Sequence, residues 1–78
     1  MHRYKNLSGK SGVVGYDIGL DFVRVKFRNG CIYAYNHESA GVLNVRLMKT
    51  LATRGLGLST FISTVVQNLY AHREEPGE

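Results

Sequence analysis

The chain has 78 residues, of which 44% are hydrophobic and 21% charged, and its formal net charge at pH 7 is +4. This length suits a single domain, and this composition argues against disordered, low-complexity and fibrous proteins. No segment approaches the roughly 20 apolar residues of a membrane span, and the N-terminal residues lack a signal-peptide pattern. Because Cys31 is also the single cysteine, we expect a cytoplasmic domain without a disulfide.

The two ends of the chain differ in charge, and both lack hydrophobic periodicity. Residues 1–11 are rich in cations, serine and glycine, which predicts a mobile basic segment. Residues 74–78 combine glutamates with Pro76 and Gly77 and predict a flexible acidic tail. Residues 12–73 are expected to form one domain. All of the excess positive charge lies before residue 29, so we expect an anionic partner to approach there.

Three segments in the first half of the chain have the composition or alternation of β-strands: residues 13–16, 22–28 and 31–35. Asp17 and Gly19 suit a turn between the first two segments. Asn29-Gly30 separates the second and third segments. This dipeptide is typical of a two-residue type I′ turn, in which both central residues need positive φ. We therefore predict a β-hairpin with its tip at Asn29-Gly30.

The second half of the chain shows helical periodicity instead. The first predicted helix covers residues 39–53, with Ser39 as its N-cap and Gly55 ending it in the left-handed conformation. The apolar residues that share one face of this helix are Leu43, Leu47, Met48 and Leu51. We expect that face to pack on the sheet.

A second predicted helix begins after Ser59, its expected N-cap. Its apolar residues fall on one arc: Leu58, Phe61, Ile62, Val65, Val66, Leu69 and Tyr70. Its opposite face is polar but carries no charge: Thr60, Ser63, Thr64, Gln67 and Asn68. Because a fully solvated helix face is usually charged, this face is a candidate contact surface, with plain surface as the alternative.

Together these elements predict an α+β fold, a three-stranded antiparallel meander with two C-terminal helices packed on one face, in the order β-β-β-α-α. A two-residue turn at Asn29-Gly30 pairs Arg24 with Tyr35 and Lys26 with Tyr33. In this register the side chains that face the helices are Val14, Tyr16, Val23, Val25, Phe27, Ile32 and Ala34.

The opposite sheet face would then carry Arg24, Lys26 and Arg28 interleaved with Tyr33 and Tyr35. Bases of single-stranded nucleic acids stack on aromatic rings while cations contact the phosphates, so this face predicts binding of RNA or another single-stranded nucleic acid. Two alternatives remain open. One is an ordinary solvated face in which the cationic stems cover the rings. The other is a protein-interaction or homodimerisation surface, formed by this face or by the uncharged helix face.

No residue pattern predicts catalysis. His2, His37 and His72 are scattered, and none is spaced with Cys31 as a set of metal ligands would be. The glycines around Leu56 lie between two predicted helices and lack the lysine of a phosphate-binding loop. We therefore expect a binding domain that is not an enzyme, with no metal, no small-molecule cofactor and no membrane association.

Four short motifs resemble the KTSC domain, a small module named for the C-terminal region of some lysyl-tRNA synthetases. They are Gly15-Tyr16-Asp17, Val23-x-Val25-x-Phe27, Asn29-Gly30 and Tyr33-Ala34-Tyr35. The resemblance covers roughly residues 10–70, and such domains also occur as free-standing bacterial proteins. It implies RNA binding and no catalytic residue. Relatives tend to have a proline before the first helix, where this chain has Asn36-His37-Glu38-Ser39.

Overall fold

The computed structural model of the chain describes residues 1–76. Its strands are β1 (His2–Arg3), β2 (Val13–Ile18), β3 (Phe22–Phe27), β4 (Ile32–Asn36) and β5 (His72–Glu74). Its helices are α1 (His37–Ala40), α2 (Val42–Arg54) and α3 (Leu58–Phe61), the last continued by a π-helical turn (Ile62–Val66). Within the described residues, no helix is long and apolar enough to cross a bilayer.

The five strands form one antiparallel sheet in the order β1-β2-β3-β4-β5. The predicted α+β class is confirmed, whereas the predicted count of three strands is wrong. The two additional strands lie at the edges of the sheet, and each is only two or three residues long. Segments this short carry too little alternation to be recognised as strands from their sequence.

The N-terminal segment belongs to the fold. β1 pairs with β2, and Tyr4 is buried in the core, where its hydroxyl accepts a hydrogen bond from the Leu58 N–H (3.3 Å). The Leu7 N–H donates to Gly55 O (2.7 Å). These contacts attach the segment to the sheet and to the start of α3, which corrects the prediction of a separate lead-in over residues 1–11.

The predicted acidic tail also overlaps the sheet. Its first residue, Glu74, is the last residue of β5 and lies opposite Ile32 of β4. Residues 77–78 of that predicted tail lie outside the described residues. The boundary drawn at residue 74 therefore cuts through a strand.

The predicted β3–β4 hairpin is confirmed, but its loop has three residues, Arg28, Asn29 and Gly30. The Phe27 N–H donates to Cys31 O (2.9 Å) and closes the loop. Of the three loop residues only Gly30 has positive φ (93°), as expected when a type I turn is followed by a left-handed residue. The predicted type I′ turn is therefore wrong.

This one additional loop residue shifts the pairing register. Val23 lies opposite Tyr35, and Val25 lies opposite Tyr33. Because side chains alternate between the faces of a strand, a shift of one residue moves every side chain of β4 to the other face. The side chains of Tyr33 and Tyr35 therefore lie on the face that packs against the helices, which we call the covered face.

The other sheet face, called the open face, carries the side chains opposite to these: Asp17, Arg24, Lys26, Ile32, Ala34, His72 and Glu74. The prediction that Ile32 and Ala34 face the helices is thus wrong. In β2, a bulge between Val13 and Gly15 buries Val13 and exposes Val14. Tyr16 lies opposite Val25 on the covered face, as predicted, whereas the prediction for Val14 is wrong.

The first predicted helix is divided in two at Gly41. Asn36 caps α1 by accepting from the Ser39 N–H (2.7 Å), and the Asn36 N–H donates to Ser39 Oγ (3.1 Å), which makes a capping box. Asn36, rather than the predicted Ser39, is therefore the N-cap. It supplies a start for the helix without the proline that the resemblance led us to expect. Gly55 ends α2 in the left-handed conformation, as predicted.

The predicted buried face of α2 is confirmed in part, because Met48 is buried and Leu51 packs against the core. Val45, Met48 and Ala52 are buried against the sheet, whereas the Leu43 side chain is 75% exposed. Met48 lies between two small side chains, so this face lets the helix approach the sheet closely. Tyr4 and Tyr35 contribute large side chains to the same core.

The second predicted helix is shorter than its apolar arc suggests. It begins at Leu58 after Gly57, not after Ser59, and its regular turns end at Val66. The Gln67 N–H reaches back to Ile62 O (2.6 Å), which is the wider hydrogen-bond spacing of a π-helical turn. Tyr70 consequently lies in the connection to β5, where the Ala71 N–H donates to Ala34 O (2.7 Å).

Candidate functional site

The predicted cations lie on the open face and in the hairpin loop. Arg24 pairs with Asp17 (3.3 Å) and with Glu74 (2.6 Å), so two carboxylates offset its charge. Lys26 is exposed on the same face. Arg28 is an exposed loop residue whose guanidinium donates to Ser11 O (3.2 Å).

The predicted tyrosines lie on the covered face instead. Tyr35 is 1% exposed and belongs to the core, and Tyr33 is half-buried beside it. The joint surface that was predicted from Arg24, Lys26, Arg28, Tyr33 and Tyr35 is therefore not formed. Its premise, a two-residue hairpin turn, is the part that the register contradicts.

A different site is built around these tyrosines, at the end of the covered face that the helices leave open. It is a groove with a volume of about 640 Å³, within the usual range for ligand sites. We call it the tyrosine groove. Its lining residues are Phe27, Asn29, Tyr33, Tyr35, Ile62, Ser63, Gln67, Asn68, Tyr70 and Arg73.

Four aromatic side chains form the base of the tyrosine groove in edge-to-face contacts. The ring of Tyr33 lies 5.5 Å from that of Phe27 and 5.0 Å from that of Tyr70, between ring centroids. Tyr70 also meets Tyr35 at 6.5 Å. Such contacts are favourable beyond the area they bury, so the rings form a preorganised aromatic surface.

One cation and several amides border the rings. The guanidinium of Arg73 lies over the Tyr33 ring, 5.6 Å from its centroid. The Asn29 side-chain carbonyl accepts from the Cys31 N–H (3.0 Å), which leaves its amide hydrogens for a ligand. The Gln67 amide donates to Ser63 O (2.8 Å), which leaves its carbonyl as an acceptor. The groove thus offers donors, an acceptor and a positive charge around an aromatic floor.

Two groups of the groove have raised pKa values, and the causes differ: burial at Tyr35, and a hydrogen bond at Arg73. Burial raises the pKa of the Tyr35 phenol to about 12, and the neighbouring phenols of Tyr33 and Tyr70 add to this shift. The pKa of Arg73 is raised by its hydrogen bond to Cys31 Sγ (3.9 Å) and by Glu75. At neutral pH the Tyr35 phenol is therefore neutral and the Arg73 guanidinium is positively charged.

Arg73 also has an acidic neighbour. Its guanidinium lies 2.9 Å from the Glu75 carboxylate, and both side chains are substantially exposed. The Cys31 thiol donates to the same carboxylate (3.5 Å). An exposed ion pair of this kind contributes little to stability, so an anionic ligand can replace Glu75 at Arg73 at small cost.

Sequence reasoning identified part of this groove and missed the rest. Ser63, Gln67 and Asn68 belong to the uncharged helix face, whose lack of charge had indicated a contact surface. Tyr70 was placed on a helix, and Arg73 was not considered, because β5 has no recognisable pattern. The groove unites residues from the hairpin, the π-helical turn and β5, which are distant in sequence.

Among the described residues, no group of three histidine, cysteine or acidic side chains lies close enough to hold a metal ion. A comparison of the chain with family models, with curated proteins and with solved structures finds no match. The resemblance to the KTSC domain therefore stays a prediction, and the case for function depends on the geometry of the groove.

Proposed function

We propose that the domain binds single-stranded nucleic acid, with RNA as the expected ligand, through the tyrosine groove. The observation that carries this proposal is the aromatic floor bordered by amides and Arg73. Unpaired bases stack on tyrosine rings and on arginine guanidinium planes, while amide groups contact the edges of the bases. The net charge of +4 supports an anionic ligand.

Within this proposal, Tyr33 and Tyr70 carry the stacking surface, because both are half-buried and line the groove. Tyr35 supports them from the core and makes no stacking platform of its own. Arg73 either stacks on a base or contacts its phosphate, displacing Glu75. Asn29, Gln67 and Asn68 supply hydrogen bonds to base edges.

The proposal is tested by titrating labelled single-stranded RNA with variants of two matched cations. Arg73→Ala removes a charge beside the groove, and Lys26→Ala removes one from the open face. We expect Arg73→Ala to weaken binding by about tenfold, since one stacked base is worth roughly 1–3 kcal/mol. Lys26→Ala should weaken binding by about threefold or less at low salt, because it removes only a long-range electrostatic attraction to the RNA backbone.

Arg73→Lys refines this test, because it keeps the charge but loses the planar stacking group. We expect an unchanged salt dependence together with weaker binding. If Lys26→Ala impairs binding more than Arg73→Ala, the open face is the interface and the groove assignment is wrong. If no RNA binds at low salt, nucleic-acid binding itself is excluded.

A second candidate function is homodimerisation, favoured by an exposed apolar ridge on α2. Leu43 is 75% exposed and Leu47 is 44% exposed. Antiparallel pairing of two α2 helices through this ridge, centred at the level of residue 45 but on the face opposite the buried Val45 side chain, would place Leu43 opposite Leu47 of the second copy. Such self-complementarity is what a twofold interface requires.

Sedimentation of the chain separates this candidate from the first. Association through leucines should persist or strengthen in high salt, whereas RNA binding weakens steeply. Leu43→Ser should abolish a dimer of this kind and leave RNA affinity unchanged. A chain that sediments as a monomer at high concentration and high salt excludes the dimer.

A further inference from the structure

A second, smaller basin lies beside the tyrosine groove and contains a lysine. It has a volume of about 310 Å³. We call it the lysine basin, and its lining residues are Ser8, Lys10, Ser11, Leu56, Gly57, Ser59 and Thr60. Its lining combines one cation with several hydroxyl groups, a composition that suits phosphate and sugar rather than a base.

The groove and the basin have no lining residue in common, but nearby residues connect their linings on two sides. On the helical wall, Thr60 lines the basin, Ser63 lines the groove, and Ser63 Oγ donates to Thr60 O (3.1 Å). On the other wall, Ser11 lines the basin and Asn29 lines the groove. Arg28 joins these two by its hydrogen bond to Ser11 O (3.2 Å). The two depressions are therefore neighbours, and we refer to the surface that includes both as the track.

The charged side chains that line the groove and the basin are positive, and Glu75, which pairs with Arg73, is not among the lining residues. Lys10 lines the basin and Arg73 lines the groove, while Arg28 lines neither but contacts Ser11 O at the edge of the basin. None of the described residues that line the groove or the basin is acidic. The wall from Thr60 to Gln67 spans roughly 10 Å at the helical rise. That is about three times the 3.4 Å spacing of stacked nucleotides.

We infer that the ligand is a strand of about three or more nucleotides, with a base in the tyrosine groove and a phosphate farther along the strand at Lys10 in the lysine basin. This inference rests on the proposed function. It adds which part of the ligand lies in each depression, and the minimum length of the ligand. Arg28 contacts the phosphate between the two ends. The uncharged helix face, Thr60, Ser63 and Gln67, forms one side of the track and leaves the backbone charge to the three cations.

The test compares two lysines of the N-terminal segment. Lys10 lines the basin, whereas Lys5 lines a different depression with Arg3 and Asn6. Lys10→Gln and Lys5→Gln each remove one charge and keep a polar side chain with part of the aliphatic stem. Both variants, and the unmodified chain, are titrated by amide chemical-shift mapping with uridine monophosphate and with a hexauridylate strand, and thermal unfolding verifies that they fold.

For the unmodified chain, we expect the hexauridylate to bind at least about tenfold tighter than the monophosphate. Its log affinity should fall with log salt with a slope of about −2, for three cations on a single strand. Lys10→Gln should weaken hexauridylate binding about threefold to tenfold, reduce that slope by about 0.7, and leave monophosphate affinity unchanged. Lys5→Gln should resemble the unmodified chain.

Two results would overturn the inference, and they can be told apart. If hexauridylate shifts groove residues but Lys10→Gln behaves as Lys5→Gln does, the track is wrong while the proposed function stands. If neither ligand shifts residues of the tyrosine groove, the proposed function fails and the track fails with it.

Discussion

The two strands of the hairpin, β3 and β4, show how differently a sequence pattern can determine structure. In β3, Val23 and Val25 are fully buried while Arg24 and Lys26 lie on the open face, as the alternation predicts. In β4, the alternation was read equally well, but every side chain lies on the opposite face from the one predicted. In β3 the valines alternate with cations, so the valines must face the core. In β4 the alternating residues on both faces include hydrophobic side chains.

The β4 sequence therefore does not determine which of its two faces packs against the helices. Tyr33 and Tyr35 on one face and Ile32 and Ala34 on the other are all compatible with burial. The three-residue loop selects the register, and burial of Tyr35 under the helices agrees with it. The following predictions are ordered from the largest expected effect to the smallest, and each compares the covered face with the open face.

Replacing Tyr35 should have the largest effect. Tyr35→Ala removes a core ring, and we expect a loss of about 3–5 kcal/mol in the free energy of unfolding. Ala34→Ser changes the neighbouring open-face residue and should cost less than about 1 kcal/mol. Both are measured by urea denaturation. A small effect for Tyr35→Ala together with a large one for Ala34→Ser would contradict the observed register and favour the one that a two-residue turn gives.

Alkaline pH should destabilise the fold through the same residue. The pKa of Tyr35 is raised to about 12 in the folded chain, against an ordinary value of 10.0. Below pH 10 the Tyr35 phenol is protonated in both the folded and the unfolded chain, so the stability of the fold does not depend on its titration there. Between pH 10 and 12 the unfolded state loses the proton first, so stability falls by about 1.4 kcal/mol per pH unit.

Tyr35→Phe isolates this term, because it keeps the ring and removes the ionisable group. The difference in unfolding free energy between the two chains should be constant below pH 10 and should then change in favour of Tyr35→Phe. Equal pH dependence of the two chains would show that the Tyr35 phenol titrates normally and is not buried.

The loop that sets the register should respond to changes at Asn29. In the three-residue loop, Asn29 accepts a hydrogen bond from the Cys31 N–H (3.0 Å) and has no positive φ. Asn29→Gly should therefore cost about 1 kcal/mol, whereas Asn29→Asp, which keeps the acceptor, should cost only a few tenths. In a type I′ turn, glycine would be tolerated at this position, so a neutral Asn29→Gly would contradict the observed loop.

The ion network of the open face should have the smallest effect. Arg24 is paired with Asp17 and Glu74, but all three side chains are accessible to solvent. We expect Arg24→Ala to cost less than about 1 kcal/mol, and salt to reduce that cost further. Thermal unfolding at low and high salt checks both statements. A loss comparable to that of Tyr35→Ala would mean that this network is more important to the fold than its exposure indicates.

The candidate site was predictable in its chemistry and not in its geometry. Tyr33 and the uncharged helix face were both candidates from the sequence, and both line the groove, yet the two were expected on different surfaces. They meet because β4 turns its tyrosines toward the helices and because the π-helical turn ends before Tyr70. Arg73 joins them only through the pairing of β5 with β4, which places it opposite Tyr33.

The sequence alone determined the α+β class, the β3–β4 hairpin, the buried face of β3 and the end of α2 at Gly55. Each of these features follows from local periodicity or from the backbone freedom of one glycine, and none of them depends on residues distant in the sequence. Tertiary structure decided the facing of β4, the rotation of α2, the edge strands and the groove itself. These depend on which side chains fill a shared core, and an alternating pattern specifies a period but leaves open the register against its neighbours.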